Sequence, residues 1–252
     1  MNRPGFLIIP AFYLLMLTGC TPGFGPKAEN GITFYCPGAG NLDAGDLGIR
    51  KGLEAAGYRG QVASVLWTVL FNPALDQRLG NARLGALGLA RSIEDYCDKY
   101  PGRPVSVIGL SAGTGVAIWA LEDLKEGYAV ENVVLLGSSL WHRYDVTKAL
   151  RRVNGKIYNY YSPDDPILAG PMKIAGTIDG VFGDDGAGSV GLMVPDGAAG
   201  RVINIRWQPE FRQYGYYGGH TDATRAPFVQ TFISRHIIQS DEQHGKTLAR
   251  LP

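Results

Sequence analysis

Several things are scarce in this chain of 252 residues, and each scarcity narrows what it does. Charge of one sign is not in excess. Lysine plus arginine number 24 against 23 acids, a formal net charge of +1, and no basic cluster forms. Nothing therefore points to nucleic acid. Histidines are four, His142, His220, His236 and His244, so few side chains are suited to general-base work near neutral pH. After Gly109-Leu110-Ser111-Ala112-Gly113 no Gly-Lys-Ser/Thr follows to make a phosphate loop, and no G-x-G-x-x-G opens the helix that comes next. Internal repeats and coiled-coil heptads are absent. The one long apolar stretch, Phe6 to Leu17, would cover roughly 18 Å as a helix, too short for a hydrocarbon layer of about 30 Å. Glycine runs the other way. Its 35 copies are about double the usual ~7% share, and with ordinary apolar content that means many turns rather than disorder.

The apolar stretch has a different meaning at an N-terminus. Arg3 supplies a positive end, and the segment closes Leu17-Thr18-Gly19-Cys20. This resembles the bacterial lipobox, which implies an envelope lipoprotein with a signal peptide over 1–19. Cys20 then becomes the lipidated N-terminal residue, and several acyl chains hold it to a membrane at about 0.8 kcal/mol per buried CH₂. Thr21 at the next position resembles the outer-membrane sorting pattern, if the cell has two membranes. Residues 20–31 read as a lipidated tether without periodicity. A folded domain is expected over 32–240, and a polar tail over 241–252.

Within the domain, strands are expected over 32–36, 62–68, 105–108, 132–137, 156–161 and 201–207. Helices are expected over 47–56, 80–99 and 145–153. Ala86, Leu89, Ile93 and Cys97 line one face of the second of these, and a last helix turns Val229, Phe232, Ile233 and Ile237 inward. Strands alternating with helices mean a parallel sheet covered on both faces. A Cys36–Cys97 disulfide is opposed by that topology, which sets the two residues at opposite ends of the sheet, so both are expected as buried free thiols.

The most informative stretch is Gly109-Leu110-Ser111-Ala112-Gly113, lying between the run Val105-Ser106-Val107-Ile108 and a helix carrying Val116, Ala117, Ala120, Leu121 and Leu124. A strand that runs straight into a helix must turn sharply. Small residues two before and two after the apex let the chain do so, and the helix N-terminus aims N–H groups at whatever the apex serine attacks. The stretch resembles the nucleophile elbow of the α/β-hydrolase family.

That resemblance implies an α/β fold of minimal α/β-hydrolase type, with about six mainly parallel strands. Only about twenty residues separate the fourth and fifth strands, so no large lid domain is expected and the site should be open. It also implies Ser111 as nucleophile, an acid after the fifth strand and a histidine after the last. In Ser162-Pro163-Asp164-Asp165-Pro166-Ile167, Asp165 fits the family spacing best, with Asp164 its rival. His220, in Tyr217-Gly218-Gly219-His220, stands where the family places its base. The Gly-rich loop Pro37-Gly38-Ala39-Gly40 implies an oxyanion hole from the N–H groups of Ala39 and Ala112. A dinucleotide reading of Gly38 and Gly40 lacks both a third glycine and an acid closing the next strand.

No cofactor is implied. The expected partners are a small-molecule or lipid ester and, through Cys20, a membrane. Peptide cleavage, acyl transfer and noncatalytic binding are the alternatives to ester hydrolysis. Tyr214, Tyr216 and Tyr217 are candidates for an aromatic wall beside His220 or for packing. Asp179, Asp184 and Asp185 are weak candidates for Ca²⁺, since they match no defined metal loop.

Overall fold

The structure, a computed structural model, describes residues 23–41, 44–68 and 80–238. The expected signal peptide, Cys20, His244 and the polar tail lie outside the described residues. Among those that are described, no helix is long and apolar enough to cross a membrane.

Six strands form one sheet: β1 (Ile32–Cys36), β2 (Gln61–Ser64), β3 (Val105–Leu110), β4 (Asn132–Leu136), β5 (Ile157–Tyr161) and β6 (Val202–Arg206). Their order is β2-β1-β3-β4-β5-β6, and every pairing is parallel. A parallel sheet hides both faces, so its central strands read as unbroken apolar runs rather than alternating ones. Val133–Leu136 is such a run, buried throughout. Val133 and Leu135 join one core with Val105 and Val107, while Val134 and Leu136 join the other with Ile108 and Leu110.

The helices divide accordingly. The first core is closed by α2 (Asn81–Lys99) and α3 (Gly113–Asp123), through Ala86, Leu89, Ile93, Val116 and Ala120. The second is closed by α1 (Gly45–Ala55) and the C-terminal helix, through Ile49, Leu53, Val229, Ile233 and Ile237. The chain goes outward from β1 to β2 and then returns to the other side of β1 with β3. That reversal is a topological switch point, and open α/β sheets bind ligands beyond the carboxyl ends of the strands at such a point.

Several expectations are corrected. The second strand stops at Ser64 rather than Thr68, because the chain bends so that the buried Trp67 indole donates to Pro37 O at 2.9 Å. The helix expected over 145–153 shrinks to Thr147–Leu150, since Val153 must bridge to Val130. Phe232 is only partly buried: the last helix passes through a π-turn at Val229–Ile233, which leaves Phe232 against Phe211, Tyr214 and Phe228 at its flank. Cys36 and Cys97 are free thiols, but Cys97 is half-buried rather than buried. Burial raises both thiols, Cys97 to about 11. Residues 23–31, expected as tether, are folded onto the domain, with Ala28 fully buried.

The longest excursion at the carboxyl edge lies between β5 and β6 rather than between β4 and β5. It carries three short helical turns, Pro166–Ala169, Pro171–Ala175 and Ala187–Val190.

Candidate active site

The site begins with a backbone conformation. Among the described residues, Ser111 is the one non-glycine with a positive φ, 52°. This left-handed region costs an ordinary residue roughly 1–2 kcal/mol, so the surroundings must impose it. Both flanking glycines are jammed. A Cβ on Gly109 would stand 2.9 Å from Gly113 O and from Thr114 Cα, and one on Gly113 would overlap the carbonyl oxygens of Cys36 and Pro37. The end of β1 is therefore pressed against the start of α3, which brings the Ala39–Asn41 turn beside the elbow. Ser111 N–H donates to Leu136 O at 3.0 Å. Ser111 O is held from the other side by Thr114, through its N–H at 3.0 Å and its hydroxyl at 2.5 Å.

The acid and the histidine arrive from further along the same edge. Asp165 follows β5 and is 2% exposed. Its Oδ1 accepts from the N–H groups of Ile167 and Leu168 at 3.0 and 3.2 Å, capping the Pro166–Ala169 turn. Its Oδ2 faces His220 Nδ1 at 2.8 Å. Asp164, the rival, is exposed, and its own N–H donates to Ser162 Oγ at 3.3 Å. Gly137 locates the pair relative to the serine. It follows Leu136, the acceptor for Ser111 N–H, and a Cβ there would lie 3.4 Å from His220 Nδ1 and 3.5 Å from Asp165 Oδ2. The Asp165–His220 pair thus lies beside Gly137, one residue past the carbonyl that accepts from Ser111 N–H. Ser111 Oγ itself has no hydrogen-bond partner among the described residues, so the hydroxyl is free for a substrate or for the second imidazole nitrogen. Ala112, buried, opens α3, and Ala39, partly buried, lies in the turn after β1.

A family model described as alpha/beta hydrolase matches residues 45–174, just over half of the chain. The chain belongs to the α/β-hydrolase family. Solved structures of similar fold include a cutinase-like protein from Cryptococcus sp., 15% identical, covering 87% of this chain and 98% of its own, at a TM-score of 0.49. Aspergillus fumigatus lipase B is 14% identical over 84% of this chain and 54% of its own, at 0.48. A dienelactone hydrolase from Anabaena variabilis is 16% identical over 88% of each chain, at 0.41. These likenesses concern the fold alone and carry nothing about substrate. No curated protein matches the sequence.

Other residues of this α/β hydrolase fall into different places. His236, expected at the surface or capping a helix, is instead partly buried: its ring stacks on Tyr158 at 3.7 Å, and its Nε2 meets Tyr160 Oη at 2.8 Å. Burial, with Arg235 and Lys156 adding repulsion, lowers it to about 4, so it stays neutral near neutral pH. His142 sits 3.6 Å from Asp184 and lines a cavity of about 360 Å³ with Tyr161, Leu192, Met193 and Asn204. Tyr216 is core, stacked on Phe211, and burial followed by the charges of Asp165 and Asp222 raises its hydroxyl. Tyr214 packs on Phe232, and Tyr217 is exposed, so the three tyrosines form no common wall. The acids once weighed for Ca²⁺ have other partners. Asp179 accepts from Trp141 N, Asp184 from Trp141 Nε1, and Asp185 pairs with Lys173 at 3.0 Å.

Three supporting residues escape a reading of the sequence. Trp67 holds the loop after β1 through Pro37 O, and Thr114 holds the serine's carbonyl. Asp222 organises the histidine loop: its Oδ2 accepts from Tyr217 N–H at 3.1 Å and Gly219 N–H at 3.0 Å, and its Oδ1 pairs with Arg225 at 3.2 Å.

Proposed function

We propose that this α/β hydrolase is a lipid-anchored serine hydrolase that cleaves carboxylic esters through an acyl-enzyme on Ser111. What supports the reading is a serine held at a positive φ after β3, on the same sheet edge as an imidazole whose Nδ1 is 2.8 Å from a buried carboxylate. A serine hydroxyl is a weak nucleophile at neutral pH, so a neighbouring base must take its proton as it attacks. His220 Nε2 takes that proton while Ser111 Oγ bonds to the ester carbonyl carbon. Asp165 holds Nδ1 protonated and stabilises the imidazolium. The Ala112 and Ala39 N–H groups receive the developing oxyanion, each contributing about 3 kcal/mol in the transition state. The alcohol leaves with the proton from His220. Water then repeats the sequence on the acyl-enzyme and releases the acid. The anchor is read from Leu17-Thr18-Gly19-Cys20, with the acyl chains on Cys20 and the domain in the bacterial envelope.

Turnover of short p-nitrophenyl esters and of aminoacyl p-nitroanilides tests this. Ester cleavage that disappears in Ser111→Ala is expected, with the amides left intact. Preferred cleavage of the amides would contradict the ester assignment while leaving the nucleophile in place.

A further inference from the structure

The segment that leads from the anchor into the domain is itself bolted down. Gly25 N–H donates to Gln61 Oε1 at 2.8 Å, and Gln61 Nε2 returns a bond to Gly23 O at 2.9 Å. Phe24 stands edge-on to Tyr96 and Tyr100, with centroids 5.4 and 6.1 Å apart. Tyr96 Oη donates to Ala28 O at 2.6 Å, and Lys27 pairs with Glu54 at 2.7 Å. All of this happens at one end of the sheet. Gln61 opens β2 and is level with Ile32, which in turn is level with Val105, the first residue of β3.

Ser111 lies past the other end. Five strand steps of about 3.3 Å put Leu110 about 17 Å beyond Val105. By contrast, the three steps from Cys20 to Gly23 reach at most about 11 Å. The slack is shorter than the sheet is deep.

From this mismatch we infer that the sheet cannot stand carboxyl edge down on the bilayer that anchors the chain, so the ester does not pass to Ser111 straight up from the membrane beneath an inverted domain. The inference rests on the lipid-anchored reading above. It does not depend on the chemistry at Ser111. Turning the domain over would need the Gly23–Gln61 end lifted off the membrane by the full depth of the sheet, which the link is too short to allow. The exposed Ile174 and Phe182, 85% and 70% exposed on the excursion between β5 and β6, are accordingly not inserted into the anchoring membrane. That excursion belongs to the catalytic edge, since Ile178 N–H donates to Ser139 O at 3.0 Å.

The test uses the full chain made in a bacterial host, with Cys97→Ser and one fluorophore on either Arg103→Cys or Phe182→Cys. Arg103 is exposed in the turn before β3, at the anchored end. The protein is placed in phosphatidylcholine vesicles containing a headgroup nitroxide lipid. Loss of fluorescence is expected at 103, with the signal at 182 retained. Inserting about 20 Gly/Ser residues before Gly23, an r.m.s. span of roughly 25 Å, should bring quenching to 182 as well. Equal quenching at 103 and 182 with the native spacing overturns the inference. So does a mass without acyl chains or a failure to bind vesicles. Either result leaves the serine-hydrolase reading standing, because fluorophosphonate labelling tests that separately.

Discussion

The serine and the histidine of this site are held by opposite means. The elbow from Gly109 to Gly113 is made by the backbone: two glycines without room for a Cβ, carbonyls of β1 driven against α3, and a residue forced to φ 52°. The histidine loop from Tyr214 to Asp222 is made by side chains. Asp222 gathers two N–H groups, Trp207 Nε1 reaches Tyr216 O at 2.9 Å, and Asp165 fixes the imidazole. A backbone-built element tolerates no change of shape. A side-chain-built one can be loosened one bond at a time. The serine is therefore positioned by sterics and the histidine by hydrogen bonds.

Substitutions sharpen that contrast. The largest effect is expected from Asp165→Asn. It leaves the shape of the loop nearly intact but removes the charge that supports the imidazolium, and kcat should fall by about 10⁴-fold, as replacing the acid does in serine proteases. A loss below about tenfold would mean that the base works without this partner. Asp222→Ala touches no reacting atom. It frees the N–H groups of Tyr217 and Gly219, and a misplacement of the imidazole by about 1 Å should lower kcat by roughly 10²-fold with KM little changed. Fluorophosphonate labelling slowed by a similar factor would confirm that the base, not substrate binding, has moved. Unchanged kinetics would show the loop holding its shape without this carboxylate. The smallest effect tests the elbow itself. Ser111→Gly removes the strained side chain, and urea unfolding should find the protein more stable by about 1 kcal/mol although inactive. Unchanged or lowered stability would mean that the positive φ is relaxed rather than imposed.

The same contrast explains how much was legible in the sequence. Sterics leave a trace in the letters. The glycines at 109 and 113 around Ser111, the β-branched run before them and the helical run after them fixed the elbow's place, and with it the parallel sheet. The roughly twenty residues between β4 and β5 leave no room for a lid, and the longer gap between β5 and β6 marks the excursion there. Side-chain scaffolding is quieter. Nothing in the letters sets Trp67 to hold Pro37 O across 30 positions, or lays His236 against Tyr158 and Tyr160. The tether was misjudged for a related reason. Phe24 and Ala28 are too few to show a period, and their burial depends on Tyr96 and Tyr100, some seventy positions away.

The central claim concerns one hydroxyl, and a fluorophosphonate probe asks about it directly. The native chain should become covalently labelled at Ser111, with the probe's mass on the peptide that contains Gly109 to Gly113, and Ser111→Ala should take up none. An unlabelled native protein, or label undiminished in Ser111→Ala, would contradict the account.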